Sequence, residues 1–153
     1  MSLTLSLVVV VTDEDLGNLR AMGQASGGRL VSSGTSAHAA LQPVPHVASL
    51  QISSVALAQD HTLILTTDGG VYSWGLNRFH QLGYPVEPIK NVAGHDAGIQ
   101  LDSRRVTGPL AKESLIGIAA SKIASVSWTS RDVFTWGTNR GQLGEKSDHL
   151  VEL

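Results

Sequence analysis

The sequence predicts an all-β repeat protein, and three observations lead there. One motif is written twice, as Trp74-Gly75-Leu76-Asn77 leading to Gln81-Leu82-Gly83 and as Trp136-Gly137-Thr138-Asn139 leading to Gln142-Leu143-Gly144. Each copy follows two β-patterned runs joined by a turn. Helical periodicity is nearly absent, and Leu110 to Ile118 is the one stretch that reads either way. Repetition at a period of tens of residues sets the architecture ahead of local propensity. It also moves the functional expectation from a single catalytic pocket to a binding scaffold.

The elements follow in order. Val8-Val9-Val10-Val11-Thr12 is β-branched throughout, which predicts a buried strand. The apolar opening that contains it is far shorter than the roughly 18 residues a membrane-spanning helix needs. It lacks a basic leader and a small-residue cleavage pattern and runs into Asp13-Glu14-Asp15, so no signal peptide is expected. Gly17-Asn18 reads as a turn and Leu19 to Met22 as a second strand, with Gly23 after it. The step from Gly23 to Leu30 (30 − 23 = 7) equals that from Gly75 to Leu82 (82 − 75 = 7), which marks a worn third copy with Met22 at the tryptophan position and Arg29 at the glutamine position. Ser32 to Pro45 reads as a loop.

The middle copy begins with Ile52 to His61, in which apolar and small residues mix as in a strand packed within a crowded interior. Thr62 to Thr66, Asp68-Gly69-Gly70 and Val71 to Trp74 then form a hairpin, because glycine supplies the positive φ such a connection needs. Tyr84 to Thr107, with Pro85, Pro88, Gly94 and Gly98, reads as a long loop of the kind that often carries binding elements. Leu115 to Lys122 is the counterpart of the strand beginning at Ile52. The last hairpin joins Ser125–Thr129 to Val133–Trp136 through Ser130-Arg131-Asp132, without glycine. Gly75 and Gly137 are 137 − 75 = 62 residues apart. The expected units are residues 1–48, a degraded first unit with its loop; 49–110, the second unit with its long loop; and 111–153, the third.

Composition bounds the chemistry. With 153 residues and 42% hydrophobic content, the chain is long enough for one domain with a core. The 11 Lys and Arg against 13 Asp and Glu leave a formal charge of −2, too little positive charge to drive phosphate neutralisation, so nucleic acid is not an expected partner. No cysteine is present, which excludes disulfides and thiolate metal sites. None of the six histidines falls at His-Glu-x-x-His spacing, so no metal is expected. No Gly-x-Ser-x-Gly elbow and no Gly-x-x-x-x-Gly-Lys-Ser/Thr loop occurs, and no serine has a neighbouring base that would make it more than a polar surface residue. Neither a catalytic residue nor a cofactor site is expected. Asp13-x-Asp15 lacks the glycine and glutamate of a calcium loop and reads as a solvated turn.

Trp74 and Trp136, at repeated positions beside Gly75 and Gly137, are expected to pack between strands. Gly75, Gly83, Gly137 and Gly144 suit positions of positive φ or close backbone approach, and Asn77, Leu82, Asn139 and Leu143 complete the repeated frame. His61, between Asp60 and Thr62, is expected to hydrogen-bond within its own unit; Ala124 stands there in the later copy. Arg104-Arg105, in the long loop, is the local basic pair and the candidate contact for an acidic protein partner.

The combination of the Asp-Gly-Gly turn, Trp-Gly-x-Asn and Gln-Leu-Gly resembles the regulator of chromosome condensation repeat family over nearly the whole chain. The step Arg78-Phe79-His80-Gln81, with Phe-His where most repeats have a residue followed by Gly, is most similar to the Bruton tyrosine kinase inhibitor subgroup, whose members also carry ankyrin and BTB domains. The resemblance implies an incomplete β-propeller of about three antiparallel blades, a part of a propeller of about seven. Such a set cannot close alone, and the expectation is a fragment of a longer protein. The function implied is a non-enzymatic protein-interaction scaffold, cytoplasmic or nuclear, with no membrane partner. A kinase-inhibiting or ubiquitin-ligase adaptor role would belong to a longer parent, since no ankyrin or BTB pattern is read in these residues. The alternative is nucleotide exchange on a small GTPase, carried by fold-level analogy alone.

Overall fold

Strand pairing follows the hairpin signals in the sequence. A computed structural model describes residues 8–12, 18–25, 36–87, 98–141 and 150–151. In it β1 (Val8–Thr12), β2 (Asn18–Ala25) and β3 (Ser36–Pro43) form a first antiparallel sheet in that order. The middle sheet runs β4 (Ile52–Leu57), β5 (His61–Thr66), β6 (Val71–Leu76), β7 (Ile99–Arg105). The last runs β8 (Gly117–Ala120), β9 (Ala124–Trp128), β10 (Val133–Thr138), β11 (Leu150–Val151). Each sheet is a meander of sequence neighbours, as a blade is. β4 lies against β1 on one side and β8 on the other, so the sheets stack in chain order.

Two segments expected to be loops each contain a strand. Within 32–45 lies β3, and within 84–107 lies β7, so that Arg104 and Arg105 sit on an outer strand. The reason is positional: an edge strand has one hydrogen-bonded neighbour and large solvent exposure, so Ile99-Gln-Leu-Asp-Ser-Arg-Arg carries little of the apolar alternation by which interior strands are recognised. The ambiguous stretch from Leu110 resolves into a 3₁₀ helix, Gly108–Lys112, ahead of β8. β1 and β2 lie where the two strands of the worn first copy are expected. The pairing of β2 with β3 shifts register between Ala21 and Gly23, and the middle sheet shifts between Ser73 and Gly75, the same repeat position. The turn residue Gly17, the segment Gly27 to Leu30, and Gln142, Leu143 and Gly144 lie outside the described residues.

The two faces of the middle sheet bury different partners. Cross-strand neighbours share a face, so Leu63, Leu65 and Val71 point one way and Ile64 and Trp74 the other. The first set packs with Leu82, Tyr84, Val106, Leu110, Leu115, Ile118 and Trp136 toward the last sheet. The second packs with Val44, Val47 and Ile52 on the side of the first. β5 is therefore buried at all six positions, which is why His-Thr-Leu-Ile-Leu-Thr has no solvent-facing alternation.

Gly75 and Gly137 hold the blades' backbones close. They have φ of +113° and +110°, and a Cβ on either would press into the neighbouring strand, against Asp60 and His61 in one case and Ile123 and Ala124 in the other. Two copies 62 residues apart meet the same backbone in the same way, so the glycine is fixed by the repeat itself. Gly137→Ala combines left-handed strain with a backbone collision that no rotamer relieves. It is expected to cost about 3 kcal/mol or more, read as a fall in the urea midpoint, whereas Gly141→Ala, with φ of +94° but open space around it, should cost clearly less.

Candidate interaction surface

The Gln81 carbonyl is the joint between the middle and last sheets. It accepts from the Trp136 indole N–H at 2.9 Å and from the Ser125 hydroxyl at 2.7 Å, and Gln81, Trp136 and Ser125 are each 0% exposed. Both carbonyl lone pairs are thus engaged. Ser125 has one proton to give, and it goes to Gln81, so in the 2.8 Å contact with Ser125 Oγ it is His61 Nε2 that donates. His61 therefore bonds across to the next blade, which corrects the expectation of a bond within its own. The cause is its end position on β5, opposite Gly75, where the absent side chain brings the strands together and leaves the imidazole facing β9.

The motif's asparagine closes the loop that carries Gln81. Asn77 Oδ1 accepts from Leu82 N at 3.0 Å while its Nδ2 donates to the Tyr84 carbonyl at 3.0 Å. Ser73 Oγ donates to the Leu82 carbonyl at 2.8 Å, and the Tyr84 hydroxyl returns to the Ser73 carbonyl at 2.7 Å. In the last blade Asn139 Oδ1 accepts from Gly141 N, two residues on, at 2.9 Å. His80, at φ +57°, occupies the place before the glutamine that Gly141 takes in the later copy. Gly83, at φ +80°, ends the loop. Burial pushes the Tyr84 phenol up to about 12, against the opposing pull of its bond to Ser73 and of Arg104, so it remains a donor at any physiological pH.

Trp74, Gly75, Asn77 and Leu82, with Trp136, Gly137 and Asn139, are all buried, and none is available to a partner. Arg104 and Arg105 are exposed. The Arg104 guanidinium stands 4.5 Å from the centroid of the Tyr84 ring, a cation–π contact that fixes its direction. The Arg105 guanidinium reaches Gly70, and its charge acts on Asp68, whose carboxyl is held below the ordinary carboxylate range chiefly by a hydrogen bond from Thr66. The basic pair is thus ordered along one edge of a blade instead of hanging in a loop.

The His61–Ser125 contact has the distance of a nucleophile and its base, yet it lacks that chemistry. Ser125 already donates to a carbonyl, and both side chains are shut away from solvent. Among the described residues no three His, Asp or Glu side chains converge as metal ligands do, and no helix is long and apolar enough to cross a membrane. Sequence reading missed Ser73, Ser125 and Tyr84. A signal existed for Ser125: a small hydroxyl residue stands directly across the strand pair from each motif tryptophan, Thr62 opposite Trp74 and Ser125 opposite Trp136.

Comparison with known proteins places this geometry. Residues 52–81 and 68–95 match models described as the Regulator of chromosome condensation (RCC1) repeat. BTB/POZ domain-containing protein 1 of Schizosaccharomyces pombe is 36% identical over 93% of this chain and 10% of its own length. The inhibitor of Bruton tyrosine kinase of Mus musculus is 36% identical over 89% of this chain and 9% of its own. The chain thus spans about a tenth of the length of these relatives. In three dimensions it is similar to yeast RCC1 (Prp20) solved with Kap60, with a TM-score of 0.75 and 19% identity over 96% of this chain and 34% of that one.

Removing either donor from the Gln81 joint should destabilise the chain unequally. Trp136→Phe keeps a six-membered ring, leaves the carbonyl one partner and opens a small void, for an expected loss of about 2 kcal/mol. Ser125→Ala leaves a buried His61 N–H without its acceptor and should cost more, about 2–3 kcal/mol. Chemical denaturation of both variants checks the order.

Proposed function

The chain carries repeats of the regulator of chromosome condensation family, and from that premise we propose that it is a non-enzymatic protein-interaction scaffold whose contact surface includes the β7 edge with Arg104 and Arg105. One observation carries this reading: the described repeat residues are buried in packing within and between blades, while the ordered, exposed basic pair takes no part in the Gln81 joint. Arg makes charge-assisted, often bidentate contacts with carboxylates, so the partner surface is acidic. A relative named as an inhibitor of Bruton tyrosine kinase supports a tyrosine kinase domain as the partner. A relative named for its BTB/POZ domain supports a setting in a longer protein, and the adaptor role we propose there has the propeller hold a substrate for a ubiquitin ligase.

The test is titration calorimetry of the chain against a tyrosine kinase domain. Binding that weakens about tenfold or more in the Arg104→Ala/Arg105→Ala pair, with the unfolding midpoint little changed, is the expected outcome. Binding that ignores both arginines removes β7 from the surface. Stimulated nucleotide release from a small GTPase would replace the scaffold reading with an exchange factor.

A further inference from the structure

β7 is the last strand of its sheet, and half of its N–H groups face away from β6. Val106 N donates to the Val71 carbonyl at 2.8 Å, and Tyr72 and Ser73 pair with Arg105 and Arg104. Alternation along an extended strand then turns the N–H of Arg104 toward β6 and that of Ser103 outward. At that outward position a side chain stands in for the missing strand. Ser103 N donates to His46 Nδ1 at 3.1 Å, and Ser103 Oγ donates to the His46 carbonyl at 3.0 Å. His46 belongs to the 3₁₀ turn Pro45–Val47 that joins the first sheet to the middle one, and its ring meets Trp74 edge-on, with centroids 4.8 Å apart.

We propose that His46 is a pH-sensitive latch on the outer edge of β7: the neutral imidazole holds the Ser103 N–H, and the protonated ring releases it. The chemistry is a count of protons. An imidazole nitrogen can accept only while it carries no proton, so the bond from Ser103 fixes His46 as the neutral Nε2–H tautomer. A second proton has Nδ1 as its only site, and there it would set an N–H against the Ser103 N–H. The surroundings agree with that geometry. Burial lowers the His46 pKa from its ordinary 6.5, and the Asp102 carboxylate on β7 partly opposes the shift. Trp74, packed on the ring from β6, brings no titratable group.

The sign follows from linkage. Because the folded His46 binds its proton more weakly than the unfolded one, the stability it contributes is complete above about pH 6.5 and declines as pH falls from there toward the lower folded value. Protonation breaks the Ser103 N–H bond alone, so the change is local and the interior pairing of β4, β5 and β6 stays intact. The device concerns the chain alone and holds whatever binds β7.

Amide hydrogen exchange of the full chain tests it, with rates corrected for their intrinsic pH dependence. In the wild type, Ser103 protection should fall about tenfold between pH 7.5 and 5, the equivalent of one hydrogen bond, while Leu63 and Leu65 hold theirs. His46→Gln, whose amide oxygen accepts without titrating, should keep Ser103 protected at both values, and His46→Phe should leave it poorly protected at both. Ring spectroscopy of the wild type provides a readout that needs no variant: the Nε2–H tautomer above pH 7 and a Ser103 amide shift that tracks the His46 titration. An Nδ1–H tautomer, or Ser103 protection as steady in the wild type as in His46→Gln, overturns the proposal.

Discussion

Everything in the middle and last blades depends on one carbonyl having both of its lone pairs filled from the neighbouring sheet. Gln81 offers that carbonyl, and Trp136 and Ser125 fill it. A buried peptide oxygen deprived of water loses free energy unless it is bonded, so the partners must arrive at fixed places, and a tryptophan ring is large enough to deliver its N–H there while filling the space between sheets. The glycine after the tryptophan follows from the same demand. With no Cβ at Gly75 or Gly137, the strand beside each can approach closely enough to bring His61 and Ala124 against it. Asn77 then ties down the loop that carries Gln81, so the carbonyl is presented in one orientation.

Such a joint spends its polar groups internally. His61, Ser125 and Gln81 would look like chemistry if met at a surface, and here they form a dry chain of donors and acceptors between blades. The proposed contact surface lies outside this joint, on an edge strand. β7 owes its pairing to β6 alone, is tied to the preceding linker by His46, and carries the ordered arginines. The same edge position leaves the outward N–H of Ser103 dependent on a single imidazole acceptor.

The interior of the fold was legible because interior strands must satisfy two constraints at once. β5 and β6 are apolar, short and punctuated by Asp68-Gly69-Gly70, and Trp-Gly-x-Asn repeats because each blade solves the same packing problem. The edges were not legible. β3 and β7 need no apolar face, and a strand such as Gln100-Leu101-Asp102-Ser103 differs little in composition from a loop. Of the site, Arg104 and Arg105 could be picked out by charge, but their order comes from Tyr84 and Gly70, which only the fold brings near. The partner of His61 lay beyond sequence reading, since Ser125 is 64 residues away and its role follows from how two sheets meet.

The donors on Gln81 hold the two blades as one unit. The exchange rate of the Trp136 indole proton measures this directly. If the joint opens only when the chain unfolds, that proton exchanges with the same free energy as the amides of Leu63 and Leu65 in the centre of β5. An indole proton that exchanges orders of magnitude faster while those amides stay protected would show that the blades part without unfolding and that Gln81 does not hold them together.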